Sequence, residues 1–204
     1  MIQLEFSKSL KNYLSDDHLI LQHWKEIETK YLEAGRHYHN LSHLNSLLDV
    51  LKPIQNQFTS WDVLVMAIAY HDVVYNTLKQ NNEEKSAALA VKRLTESGFP
   101  KNQVSACEEF ILATKRHEER SREINLFTDA DLAILGAEKI TYQQYTEQIR
   151  KEYAFYPDLI YKPGRKKVLN HFLQMDRIYK SAAFFEQYET QARINLQAEL
   201  DSLD

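Results

Sequence analysis

The chain has few residues of the kinds that cross-link or break a fold. Cys107 is its only cysteine. No disulfide can therefore form within the chain, which is typical of proteins in a reducing compartment. Only four glycines and four prolines occur among the 204 residues. Because a β-sandwich needs many tight turns, this scarcity favours long helices.

The sequence also lacks a strong charge of one sign and a long apolar run. Its formal net charge is −4, with no basic tail or stripe, which argues against nucleic acid as a partner but leaves room for a local basic pocket. The most apolar run, residues 61–70, has about half of the roughly 20 residues that a membrane helix needs. Residues 1–8 show no basic region followed by an apolar run. We expect a cytoplasmic protein with no membrane partner.

Length and composition predict one helical domain. At roughly 100–200 residues per domain, a single domain spanning the chain is the default. Apolar residues make up 44% and charged residues 26%, as is usual for soluble globular proteins. No repeat, low-complexity segment or linker divides the sequence. The predicted fold class is all-α, with a motif-bearing core over about 36–140 and a C-terminal helical extension over 141–204.

Capping residues and helix breakers set the predicted element boundaries. In chain order they predict a helix from Asp16 to Gly35, a buried helix from Ser60 through Tyr75, a polar loop over 118–128, a short helix over 129–136 with Asp129 as its N-cap, a loop containing Pro157, Pro163 and Gly164, and two helices at about 165–180 and 182–201.

The pair His71-Asp72 follows the most apolar stretch of the chain. Burying an imidazole and a carboxylate side by side is costly unless both are paired. A divalent metal ion can pair with both, because its charge compensates the carboxylate and it accepts the lone pair of the imidazole nitrogen. The doublet therefore predicts further metal ligands elsewhere in the chain.

Two other segments offer such ligands. His39 and His43 are four residues apart, so on a helix they would share a face. Asp131 is predicted just inside the N-terminus of its short helix. A set of imidazoles and carboxylates without a thiolate suits Mn, Fe, Co, Ni, Zn or Mg, and residue types alone do not choose among these metals.

The order His … His-Asp … Asp in an all-helical chain resembles the HD superfamily of metal-dependent phosphohydrolases, in particular its bacterial branch of predicted HD-domain phosphohydrolases. Residues 38–43 (YHNLSH) are similar to the first motif, His71-Asp72 to the second, and residues 129–136 to the last. The resemblance covers about residues 36–140. It implies an HD-domain-like helical bundle with the C-terminal helices packed on it.

The resemblance also implies roles for individual residues. The metal ligands would be His43, His71, Asp72 and Asp131, and His39 would be a catalytic proton donor to the leaving group. Asp72 would also orient the attacking water. One metal is favoured over two, because Asn82 stands where a further histidine is often found. Glu83, Glu84 and His117 would then be contacts to a second metal or to substrate.

The implied reaction is hydrolysis of a phosphoester or nucleotide phosphate bond by a metal-activated water, on a small phosphorylated substrate. Cationic groups would bind the phosphate, and the candidates are Arg36, Lys115 and Arg165, with Arg116 as a further cation. His117 would be another substrate-binding residue. Arg165 is equally compatible with a simple position at the start of a helix, and Asp129 with an N-cap.

Two alternative functions share parts of this pattern. A peptidase would fit the His39-x-x-x-His43 spacing, but Asn40 stands where the general-base glutamate is required. A catalytically silent nucleotide-binding HD module would keep the same ligands without turnover. The C-terminal aromatic residues fit either the core or the face of a homodimer.

Overall fold

The computed structural model describes residues 1–203, which contain ten α-helices and no β-strand. The prediction of an all-α fold is confirmed. In chain order the helices are α1 (Ile2–Lys11), α2 (Asp17–Tyr31), α3 (Leu41–Leu51), α4 (Trp61–Tyr70), α5 (Asn82–Glu96), α6 (Lys101–Ala113), α7 (Arg122–Asp131), α8 (Lys139–Glu152), α9 (Asp158–Leu173) and α10 (Ala182–Ser202), and two short 3₁₀ helices cover Lys52–Gln57 and Leu132–Gly136.

The described chain divides into two compact units, one comprising Met1–Glu118 and the other beginning at Glu119. The first unit contains α1 to α6, and the second contains α7 to α10. The single-domain organisation stays a prediction, and each unit is described by itself below.

The first unit is built around α4, which is buried at every position from Val63 to Tyr70. The hydroxyl of Ser60 accepts a hydrogen bond from Val63 N (3.3 Å), and Asp62 lies in the first turn, as the sequence predicted. Helices α1, α3, α5 and α6 pack against α4. This helix ends with His71 as its C-cap, so the core directly positions the His-Asp pair.

The buried helix is shorter than predicted, because it ends at Tyr70 and not at Tyr75. Tertiary partners replace the helical hydrogen bonds that the N–H groups of Asp72 and Val74 would have made. The N–H of Asp72 donates to the hydroxyl of Tyr31 (3.2 Å), and the N–H of Val74 donates to Ser86 Oγ (3.0 Å). The helix from Asp16 is likewise shorter, since α2 ends at Tyr31; its capping by Asp16 is confirmed.

The second unit is organised by α10, which packs against α9, α7 and the 3₁₀ helix Leu132–Gly136. Gly136 is required by this packing, because a Cβ atom there would lie 2.6 Å from Cβ of Tyr188. The predicted polar loop over 118–128 is confirmed only for 118–121 and is wrong beyond it: α7 begins at Arg122 and buries Ile124 and Phe127. Charged residues precede and begin this amphipathic helix, so its apolar face was not recognised in the sequence.

The segment around Pro163 is also helical, in contrast to the predicted loop. Helix α9 begins at Asp158 and includes both Pro163 and Gly164. Proline removes one helical hydrogen bond, and the carbonyl that loses its partner belongs to Leu159. Since Leu159 is 91% exposed, water can satisfy that carbonyl, and the cost of an internal proline is reduced.

Candidate metal centre

Asn40 places His43 in the first turn of α3. Its Oδ1 accepts a hydrogen bond from Ser42 N (2.8 Å), and its Nδ2 donates to the carbonyl of His37 (2.8 Å). Asn40 is thus the N-cap of α3, and His43 is buried with 7% exposure. His39 precedes the cap, so the prediction that His39 and His43 share a helical face is wrong. The two rings are nevertheless neighbours, with centroids 5.9 Å apart.

A backbone carbonyl fixes the orientation of the His71 ring. Nδ1 of His71 lies 2.9 Å from the carbonyl oxygen of Ile68, in the last turn of α4. Because a carbonyl only accepts, Nδ1 carries the proton and donates it. In the neutral imidazole the lone pair is therefore on Nε2, the tautomer that binds a metal ion through that nitrogen. The side chain is 1% exposed.

Donor atoms of His43, His71 and Asp72 converge in the first unit. Nε2 of His43 lies 3.2 Å from Nε2 of His71, and Oδ2 of Asp72 lies 3.1 Å from Nε2 of His71. Oδ2 of Asp72 is 4.0 Å from Nε2 of His43. Two nitrogens that share one ion at about 2.1 Å each lie about 3–3.5 Å apart, depending on the coordination angle. Nitrogen and carboxylate lone pairs at these separations repel one another unless a proton or a cation lies between them, so the donor set fits a divalent cation.

His39 approaches the same carboxylate from a more open side. Its Nε2 lies 4.0 Å from Oδ2 of Asp72, and its side chain is 21% exposed, compared with 5% for His43. The ring stacks on Tyr75, with centroids 4.4 Å apart and planes 29° apart, and meets Tyr38 edge-on. Its greater exposure suits contact with a bound molecule better than a fourth buried donor.

The guanidinium of Arg36 is bonded to the backbone of both histidine-bearing segments. Nη1 donates to the carbonyls of Asp72 (2.7 Å) and His39 (3.2 Å), and Nη2 donates to the carbonyl of Val73 (3.0 Å). We expected Arg36 to bind phosphate through its charge, and the structure shows that most of its donors are already used.

Tyr31 and Tyr75 are additional components that the sequence analysis missed. The hydroxyl of Tyr31 accepts from the N–H of Asp72, and the Arg36 guanidinium lies 4.9 Å from the Tyr31 ring and 5.4 Å from the Tyr75 ring. Tyr75 also carries the stacked ring of His39. Neither tyrosine belongs to a spacing pattern, so no signal in a single sequence pointed to it.

Asp131 lies in the second unit and is the last residue of α7, not the start of a short helix as predicted. Its carboxylate is of a type that ligates metal ions, and the assignment of Asp131 as a fourth ligand stays a prediction. Asp129 is not an N-cap of its own helix. It is fully buried within α7, and its carboxylate accepts hydrogen bonds from Lys180 N, Ser181 N and Ser181 Oγ at the start of α10.

Two of the predicted contacts, Lys115 just after α6 and Glu84 in α5, bind each other. The ammonium of Lys115 donates to the carbonyl of Gln80 (2.9 Å) and to the carboxylate of Glu84. This hydrogen bond lowers the pKa of Glu84. Glu83 lies in the first turn of α5, and His117 follows α6 with a φ of 50°. Asn82 exchanges hydrogen bonds with the backbone of Asn76, so it holds the loop before α5.

Arg165 is part of an ion pair inside the second unit. Its Nε and Nη2 donate to the two carboxylate oxygens of Glu199 (2.6 and 2.9 Å), and both side chains are less than 10% exposed. Tyr142 donates a further hydrogen bond to Glu199 (2.5 Å). The charge of Arg165 is therefore compensated by Glu199, in an ion pair that joins the middle of α9 to the last turns of α10.

A scan against protein-family models, a search of curated proteins and a search of solved structures each found no match to the chain. Among the described residues, no helix combines the length and the apolar character needed to cross a membrane.

Proposed function

We propose that the protein is a metal-dependent phosphohydrolase that cleaves a phosphoester or nucleotide phosphate bond. One observation carries the proposal: Nε2 of His43, Nε2 of His71 and a carboxylate oxygen of Asp72 converge, while His39 approaches the same carboxylate from the exposed side. Metal ligands and a titratable group at their edge are the two parts that such a hydrolysis needs.

His43, His71 and Asp72 would hold the ion, with Asp131 of the second unit as the fourth ligand. The resemblance of the sequence to the HD superfamily supports this set, and so does its mixture of nitrogen and oxygen donors. Mn, Fe, Co, Ni, Zn and Mg remain the candidate metals, and one ion accounts for all four ligands. When bound, the ion supplies Lewis-acid charge to a phosphoryl oxygen and makes water acidic enough to ionise near neutral pH.

The side chains of this chain then perform the remaining tasks. The second oxygen of Asp72 accepts a hydrogen bond from the attacking water and so orients it. His39 donates a proton to the leaving oxygen, because its ring lies at the exposed edge and is held in plane by Tyr75. The arrangement accounts for phosphate chemistry without selecting a base or a sugar.

The direct test is turnover of p-nitrophenyl phosphate and bis(p-nitrophenyl) phosphate by the full chain. The protein is purified without chelator and assayed with added Mn, Co, Ni, Zn or Mg. We expect turnover that depends on the metal and is abolished in Asp72→Ala. Asp49→Asn is a matched control, since Asp49 is an exposed aspartate on α3, the helix that carries His43.

Metal content tests the ligands separately from activity. We expect His43→Ala and Asp131→Ala each to lose metal by elemental analysis, whereas His18→Ala, an exposed histidine on α2, keeps it. If both ligand variants keep a full metal complement, the ligand assignment is wrong. If the wild type binds nucleotides with its metal but hydrolyses none of a broad panel of phosphoesters, the protein is a silent nucleotide-binding module.

A further inference from the structure

We infer that Arg36 is a positioning residue, which locks together the two backbone segments that present the metal ligands. The effect of Arg36 on metal binding rests on the proposed function, but all the contacts that support the inference lie within the first unit. The two segments are far apart in sequence: Arg36 is separated from Asp72 by 36 positions and from Val73 by 37.

The hydrogen bonds of Arg36 reach both segments at once. Nη1 donates to the carbonyl of His39, before α3, and to the carbonyl of Asp72, after α4, while Nη2 donates to Val73. The backbone of Asp72 is thereby held on both sides of its Cα, because its N–H donates to Tyr31 and its carbonyl accepts from Arg36. Movement of either segment would break at least one charge-assisted hydrogen bond.

Few donors of Arg36 remain for a substrate. Both N–H groups of Nη1 and one of Nη2 are used by carbonyls, and Nε is buried without a hydrogen-bond partner. A phosphate is best bound by two parallel N–H groups of one guanidinium. The two N–H groups that the carbonyls leave are one of Nη2 and that of Nε, and Nε is shielded from solvent. The geometry therefore favours a role in holding the ligands over a role in binding the phosphate.

The tyrosines complete the arrangement. The guanidinium lies near the rings of Tyr31 and Tyr75, and Tyr75 stacks on His39. Arg36 thus contacts the ring that orients the proposed proton donor and the backbone of the proposed metal ligand. A lysine could not reproduce this, because an ammonium is a single point with no planar fork.

The test compares Arg36→Met, which keeps the length of the stem, and Arg36→Lys with Arg177→Met. Arg177 is a suitable control because its guanidinium also stacks on an aromatic ring, that of Phe185 at 4.0 Å, outside the candidate metal centre. Two quantities are measured in the full chain. The first is the affinity for Co²⁺, determined from the visible absorption spectrum of the bound ion. The second is amide hydrogen exchange over residues 37–41 and 71–75 in the metal-free protein.

We expect both Arg36 variants to bind Co²⁺ about 10- to 100-fold more weakly, as is usual when a group supporting a metal ligand is removed. The Co²⁺ spectrum should change, and both backbone segments should exchange faster, while Arg177→Met resembles the wild type. Added guanidinium ion, at concentrations well below those that unfold the protein, should partly restore Co²⁺ affinity to Arg36→Met.

Unchanged Co²⁺ affinity and unchanged exchange in Arg36→Met, with only a raised KM, would show that Arg36 binds substrate and would overturn the inference. If Arg36→Met does not fold, Arg36→Lys decides by the same measurements. A wild type that binds Co²⁺ but hydrolyses nothing refutes the proposed function alone. A wild type that binds no metal also refutes that function, and the exchange experiment still decides whether Arg36 locks the two segments.

Discussion

Replacing Asp129 by alanine should destabilise the second unit far more than the loss of an ordinary helix cap. The carboxylate of Asp129 is fully buried within α7. It accepts hydrogen bonds from Lys180 N (2.9 Å), Ser181 N (2.7 Å) and Ser181 Oγ (2.6 Å). Ser181 is the N-cap of α10, so the negative charge also lies at the favourable end of that helix.

The expected magnitude follows from the number of bonds and their burial. A hydrogen bond to a charged group contributes about 1.5–3 kcal/mol, so the three bonds give an upper limit of about 4.5–9 kcal/mol. Because Ser181 is only half-buried, its groups can reach water once the carboxylate is gone. We therefore expect a loss of about 3–5 kcal/mol, which is typical of removing one member of a buried polar network. An N-cap alone would contribute about 1 kcal/mol.

Urea unfolding followed by circular dichroism measures this difference. Asp158→Ala is the matched control, because Asp158 is likewise an aspartate that accepts a hydrogen bond, from Arg150 (2.7 Å), but its side chain is 66% exposed. We expect the control to lose less than about 1 kcal/mol. Hydrogen exchange identifies whether α7 and α10 carry the effect. If Asp129→Ala costs no more than Asp158→Ala, the reasoning about this buried carboxylate is wrong.

Two further predictions concern the centre and the first unit. His39→Ala should keep its metal but lose rate by about 100-fold or more, as expected for a general acid; metal loss in this variant would instead make His39 a ligand. Glu26→Gln should lower the free energy of unfolding at neutral pH by about 1 kcal/mol or less. Hydrogen bonds from Arg93 lower the pKa of Glu26 from its ordinary 4.5, so this stabilisation is present above 4.5 and is lost as the pH falls through the lowered value. Urea midpoints of both proteins should therefore converge at acidic pH, and a difference that persists there would contradict this assignment.

Local signals predicted the fold class and several features of the first unit. Asp16 and Ser60 cap their helices as expected, because an N-cap acts on N–H groups only two or three residues away. The buried helix and the His-Asp pair at its end were also readable, since a continuous apolar run needs no partner to be recognised. The ends of helices were less predictable: Tyr70 ends α4 because distant groups, such as Tyr31, bond to the backbone that follows.

The sequence by itself determined that this chain is helical and that His43, His71 and Asp72 are metal-ligand types, because composition, caps and apolar runs act within a few residues. Only the tertiary structure decided that Nε2 of His71 faces Nε2 of His43, that Asp129 anchors a distant helix and that Arg36 holds two segments together. These contacts join residues that are 28 to 52 positions apart. No spacing rule reaches that far, since the packing of whole helices sets which side chains meet.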